Sequence, residues 1–147
     1  MVKTALDQAR HEVEELHQFF CDWYAGRLPE SVFEERFASH FAANVTFISL
    51  SGVALGRDDL VGWIRQNYQS NNDFRIQIRD VTVHSAGDDH ILVSYQEWQR
   101  NSLGDEPSNN GRITTVFFTL ENGVLKWTHI HENRLPQDVV AAEAFDF

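Results

Sequence analysis

The sequence predicts an α+β domain in which helices pack on one side of a strongly curved, mostly antiparallel sheet. Three observations carry that prediction. An amphipathic helix opens the chain, four long segments of alternating apolar and polar residues close it, and Asn122-Gly123, a strong hairpin signal, joins the last two. Helices and strands kept apart along the chain make an α+β arrangement and not a βαβ one.

The first helix is expected over residues 4–25. Leu6, Ala9, Val13, Leu16, Phe20 and Trp23 step by three and four and form one apolar face. Thr4 is its candidate N-cap, with Asp7 three residues on, and Gly26 is its stop. Pro29 opens a second, shorter helix that carries Phe33 and Phe37 on one side and fades over residues 39–41. Residues 44–50 alternate as a strand, Ser51-Gly52 turns, and residues 53–55 form a short partner. A third helix begins at Arg57 behind Gly56. Asp58 and Asp59 sit in its first turn, where acids complement the helix dipole, and Leu60, Ile64 and Tyr68 mark its buried side. Strands follow over residues 74–84, 90–101, 112–120 and 124–135, with a long polar loop between the second and third of them. Residues 137–147 form a tail, with room for a short helix, that ends in Phe145 and Phe147.

With 147 residues the chain is most simply one domain, and it is long enough to bury a core without staples. Its formal net charge of -10 argues against a nucleic-acid surface and against an anionic membrane, both of which call for a basic footprint. The single cysteine, Cys21, cannot form an intramolecular disulfide, the N-terminal stretch has no apolar leader core, and no apolar run reaches membrane-spanning length. A cytoplasmic protein without nucleic-acid or membrane partners is the expectation.

A helix lying across a curved sheet leaves a cavity, and the last strand holds the most suggestive residues for it. Trp127, His129, His131 and Asn133 are spaced by two and would share one face of an unbroken strand. The pair His129 and His131 raises the question of a metal, but Glu132 points to the opposite face and no third ligand offers itself, so neither metal nor cofactor is expected. On the strand at 90–101, Tyr95 and Glu97 share a face with Ile91 and Val93. A carboxylate held near apolar groups can serve as a general acid or base. Arg112 and Thr114 share a face of the next strand, and the plain alternative is a Glu97–Arg112 ion pair holding the sheet. The alternation equally permits Gln96, Trp98 and Arg100 to face inward. On the first helix His17, Cys21 and Tyr24 lie in one line; Cys21 reads as a small core thiol, whereas Trp23 and Tyr24 read as lining. The candidate site is therefore Glu97, His131 and Tyr95 for proton chemistry, with Trp23, Tyr24, Tyr68, Arg112 and His129 around a small apolar ligand. Trp98, Phe117 and Ile130 are expected on the outer sheet face as the apolar patch of a homodimer.

The order of elements, the run G-R-D-D-L-V-G-W-I at residues 56–64 and the closing K-W-T-H-I-H-E-N-R-L at 126–135 resemble the NTF2-like superfamily, with its SnoaL-like and DUF4440-type bacterial branches nearest. Association domains of calcium/calmodulin-dependent kinases have a similar last strand. The resemblance covers residues 4–135 and implies a cone-shaped, cystatin-like fold enclosing a pocket, often dimeric through the outer sheet face. The family's last strand carries Trp, a first His, a second His and Ser. Here Trp127 and His131 match, and Asn133 and Leu135 stand in the last two places. The resemblance implies ligand binding and, in some members, cofactor-free isomerisation, cyclisation, dehydration or hydrolysis. In other members it implies binding or assembly alone.

Overall fold

A computed structural model describes residues 3–104 and 106–147; Met1 and Val2 of the N-terminal stretch and Asp105 of the polar loop lie outside the described residues. Helix α1 spans Ala5–Tyr24, α2 Phe33–Arg36, α3 Arg57–Gln66 and α4 Gln137–Ala141. Strands β1 to β6 span Phe41–Ile48, Ala54–Leu55, Arg75–Ala86, His90–Arg100, Asn110–Glu121 and Val124–Arg134. They form one sheet in the order β2-β1-β6-β5-β4-β3, antiparallel at every pairing except β1 with β6.

The Thr4 side chain caps α1 by accepting from the Asp7 amide at 3.1 Å, and the apolar stripe of α1 lies on the inner face of the sheet. Leu16 is buried and Phe20 packs partly buried against the core, as the stripe predicts. The second helix is only four residues long, flanked by 3-10 turns at Glu30–Val32 and Ala38–His40, so β1 starts three residues earlier than its alternation indicates. Phe33 and Phe37 justify that short segment. Phe37 is fully buried and meets Phe19, Phe20, Phe33 and Phe41 at centroid separations of 4.9–5.6 Å. Helix α3 ends before Tyr68, which therefore leaves the helical face. Its ring packs 4.3 Å from Trp23, and its hydroxyl donates to the Leu28 carbonyl at 2.6 Å.

Several breaks in register bend the sheet, among them these two. Strand β3 is broken in register at Asp80, whose φ is +57°, and β6 carries a bulge at which Phe117 opposes His129 while Phe118 opposes Trp127. Trp127 faces inward before that bulge; Ile130 and Glu132 face inward after it. The outer face differs from expectation at two positions, one of them because of that bulge. Ile130 is buried in the core, and Trp98, although it lies outside, is covered by the tail. Trp98 lies over Gly111, its cross-strand partner, where a Cβ would come within 2.9 Å of the indole. Arg79 stacks on the indole at 4.8 Å and holds Glu143 with two bonds of 2.9 and 3.0 Å, while Phe145 meets the ring edge-on at 5.7 Å. Of the expected patch Phe117 alone remains partly open, near the 39% exposed Ile113. Among the described residues no helix is long and apolar enough to cross a membrane.

Phe37→Ala is expected to cost about 3–5 kcal/mol, because four neighbouring rings cannot all close on the void. A urea unfolding midpoint within error of the unmodified chain would contradict that placement.

Candidate functional site

The curved sheet and the helices leave between them a cavity of about 90 Å³, open at its mouth. Most of its wall is apolar and aromatic: Leu16, Phe20, Phe41, Phe47, Leu60, Trp63, Ile64, Phe74, Ile76 and Ile130 line it, with Tyr24 and Trp127. The inner face of the sheet is graded. One end holds Ile91, Phe118 and Trp127, a middle row holds Val93, Val116 and Ile130, and then come Tyr95, Thr114 and Glu132, followed by Glu97 and Arg112. Strict alternation along each strand, reset once by the β6 bulge, produces the gradient.

At the polar end, His17 reaches from α1 to the sheet. Its Nδ1 is 2.7 Å from the Val13 carbonyl, an acceptor only, so that nitrogen carries a proton. Its Nε2 is 2.9 Å from Glu97 Oε1, and the two share one further proton. The other oxygen of Glu97 accepts from Gln99 Nε2 at 2.5 Å. Burial opposes charge on both groups. The His17 imidazolium, Arg112 and the Gln99 amide outweigh it for Glu97 and hold the carboxyl at about 2. Glu97's charge and hydrogen bond likewise lift His17 above its ordinary value against desolvation. The pair is a buried imidazolium–carboxylate ion pair.

Arg112 joins this pair to the mouth. Its Nη2 donates to Gln99 Oε1 at 3.1 Å and Asn110 Oδ1 at 2.8 Å, and its Nη1 donates to both oxygens of Glu132 at 3.3 and 3.2 Å. Glu132 contrasts with Glu97. Burial, only partly offset by Arg112 and reinforced by the nearby Glu97 charge, raises its carboxyl to about 7. Two carboxylates in one cavity thus have widely separated affinities for protons, which is how a site divides acid and base roles. Burial also raises the Tyr95 and Tyr24 hydroxyls, with Glu97's charge adding to both.

Glu97, Tyr95, Tyr24 and Arg112 come together in this cavity. His131 and His129 do not. The bulge in β6 turns both to the exposed outer face, opposite Glu97, so neither can act in the cone. Glu132 lies between them and Asn133 in sequence and points inward. Trp23 and Tyr68 belong to the core beneath the lining, where Trp23 Nε1 donates to the Ile64 carbonyl at 2.9 Å. Sequence reading missed His17 and Glu132 as site residues. His17 follows Leu16 of the apolar stripe and stands one turn before Cys21 on α1, and only its distance to Glu97, 80 residues away, distinguishes it. Cys21 is buried and its thiol is pushed up by burial to about 11, which makes it a packing group and not a nucleophile. Among the described residues no group of three or more His, Cys, Asp or Glu side chains is placed to hold a metal ion.

Replacing one member of the buried pair strands the other. Glu97→Leu is expected to cost about 3–5 kcal/mol in urea unfolding, and adding His17→Leu to it should recover most of that loss. Additive losses in the double variant would mean that the pair is not coupled.

Comparison with known proteins agrees with the fold. Two curated relatives, sucrose-phosphatases 1 and 2 of Nicotiana tabacum, are 29% and 28% identical in alignments 135 positions long that cover 85% of this chain. The chain spans 30% of the length of each. Among solved structures, an NTF2-like protein of unknown function from Pseudomonas aeruginosa superposes with a TM-score of 0.78 at 24% identity, over 88% of this chain and 99% of that one. The CaMKII hub of S. rosetta superposes with a TM-score of 0.70 at 14% identity, over 92% and 100%. At these identities the structures show the fold alone. The profile of the SnoaL-like domain matches residues 30–133, more than half of the chain and every strand from β1 to β5 with nearly all of β6, and the chain belongs to that family.

Proposed function

We propose that this chain binds a small, largely apolar molecule in the cone and can exchange a proton with it without a cofactor. The observation that carries the reading is one cavity with an aromatic wall onto which four buried ionisable side chains, His17, Glu97, Arg112 and Glu132, converge. An apolar shell with a few convergent polar groups is the make-up of a small-molecule site. A core filled only for stability gains nothing from two buried carboxylates. Glu97, tied up by His17 and Gln99, is a poor base, so the acid–base role falls to Glu132, whose affinity for protons suits neutral pH. Tyr95, in the same cross-strand row as Glu132, is placed to polarise a ligand oxygen.

A second reading, assembly through the outer sheet face, is favoured by the likeness to a kinase hub and by Ile113 and Phe117 on that face. The two readings are compatible, since one uses the inside of the sheet and the other the outside. A homodimer is accordingly proposed, with its contact on β5 and β6 and away from the tail-covered Trp98.

Binding in the cone is tested with p-cresol as the probe. Amide and indole shifts are expected to cluster on Leu16, Phe20, Trp63 and Trp127, and a folded Ile130→Phe variant should weaken binding several-fold. Shifts scattered over the outer face, or none at millimolar probe, would end this reading. For the dimer, light scattering at micromolar concentration should give twice the 17.0 kDa chain mass, and Ile113→Lys should return it to one. A monomer mass before substitution counts against the outer-face contact.

A further inference from the structure

The polar wall of the cone has one buried donor without an acceptor. Arg112 Nε is buried without a partner, whereas the Thr114 hydroxyl stands against Tyr95 behind the lining and does not face the cavity. Interiors rarely leave such a donor unpaired. Thr114 lies between Tyr95 and Glu132 in one cross-strand row, and Arg112 stands in the next row opposite Glu97. Among the described residues Glu132 has one hydrogen-bond partner, Arg112, at 3.2 and 3.3 Å, whereas charge-assisted bonds of this kind normally close to ~2.7–2.9 Å. The Glu132 carboxylate is thus the loosest member of the network.

The charges point the same way. His17 cancels Glu97, and Arg112 is cancelled only while Glu132 is ionised. Every charged or titratable group around Glu132 can be named. Arg112 faces it from β5, Glu97 and Tyr95 from β4, His17 and Tyr24 from α1, and Glu106 of the polar loop lines the mouth beside it. The lining from α3 and β1 is Leu60, Trp63, Ile64, Phe41 and Phe47, which do not titrate. Arg134, on the same strand as Glu132, is turned to Glu106 at 2.7 Å. If Glu132 accepts a proton, the wall holds one uncompensated positive charge and gains another donor. An amine would meet that charge unfavourably; an acceptor-only anion would complete it.

We propose that the ligand is a small apolar acid whose carboxylate seats between Arg112 and Glu132, and that Glu132 takes up one solvent proton as the acid binds. This rests on the reading of the cone as a ligand site. The ligand stays ionised, no covalent bond between heavy atoms forms or breaks, and the added proton bridges the Glu132 and ligand carboxyl groups. Phe20, Tyr24, Phe47, Trp63 and Phe74 receive the apolar body. Glu97 cannot play this part, because His17 and Gln99 already hold both of its oxygens.

The test is calorimetric titration with phenylacetate and with phenylacetamide between pH 6 and 8.5, in two buffers of different ionisation enthalpy. Phenylacetate should take up close to one proton per molecule bound at pH 8. Its affinity should weaken roughly tenfold per pH unit above the Glu132 midpoint. Glu132→Gln, which mimics the protonated side chain, should bind with little pH dependence. A carbon-13 titration of the Glu132 carboxyl in the unmodified chain, with and without phenylacetate, gives the same answer if that variant does not fold: the midpoint must rise on binding. A flat pH profile, an unmoved midpoint, or a slope that survives in Glu132→Gln overturns the proposal. Binding of phenylacetamide without phenylacetate overturns it and leaves the pocket reading standing; binding of neither overturns both.

Discussion

A carboxylate buried in an aromatic cone must be neutralised, and the rest of this site is organised around that requirement. Glu97 stands on β4, one strand in from the β3 edge of the sheet, and is buried deeply enough that an unpaired charge there would be prohibitive. Its partner comes from another layer. His17 on α1 is fixed at one nitrogen by its own helix, through the Val13 carbonyl, and offers the other to Glu97. The pair therefore fixes where α1 crosses the sheet as well as satisfying a charge. The apolar stripe from Ala9 to Trp23 holds the helix down, and the ion pair selects its rotation and depth.

The same requirement propagates toward the mouth. Gln99 is oriented by donating to Glu97, which leaves its carbonyl oxygen for Arg112 and Asn110. Arg112 is thereby held with only one side of its guanidinium left for Glu132. The network is tight at the Glu97 end and loose at the Glu132 end, and the proton affinities of the two carboxylates diverge accordingly. The proposed ligand chemistry sits at that loose end, where the cavity opens and a small molecule can enter.

The outer face follows a separate logic. An exposed sheet face carrying Trp98 would be an aggregation hazard, and the tail covers it with Glu143 and Phe145, while Arg79 of β3 stacks on the ring. The rest of that face, with Ile113, Phe117, His129 and His131, stays open. The two histidines that dominate the sequence of β6 thus stand on the surface a second copy would meet.

Most of the architecture was legible in the amino-acid order. Periodicity near 3.6 in α1, alternation in β3 to β6, the Thr4 cap and the Asn122-Gly123 turn are local signals, because each depends on residues within one or two turns of one another. That Tyr95 and Glu97 share one face of β4, and Arg112 and Thr114 one face of β5, also followed from alternation, which left open whether this face or the one with Gln96, Trp98 and Arg100 turned inward. Beyond that choice of face, two decisions belonged to the tertiary structure. One was the bulge beside Thr128, a single extra residue that leaves no mark in composition and exchanges His129 and His131 for Ile130 and Glu132 as lining. The other was the meeting of His17 with Glu97, which needs α1 docked on the sheet before either residue has a partner. Local patterning determines which elements form. Parity after an irregularity, and the pairing of charges far apart in sequence, are settled only when the layers pack and each buried polar group must find its complement.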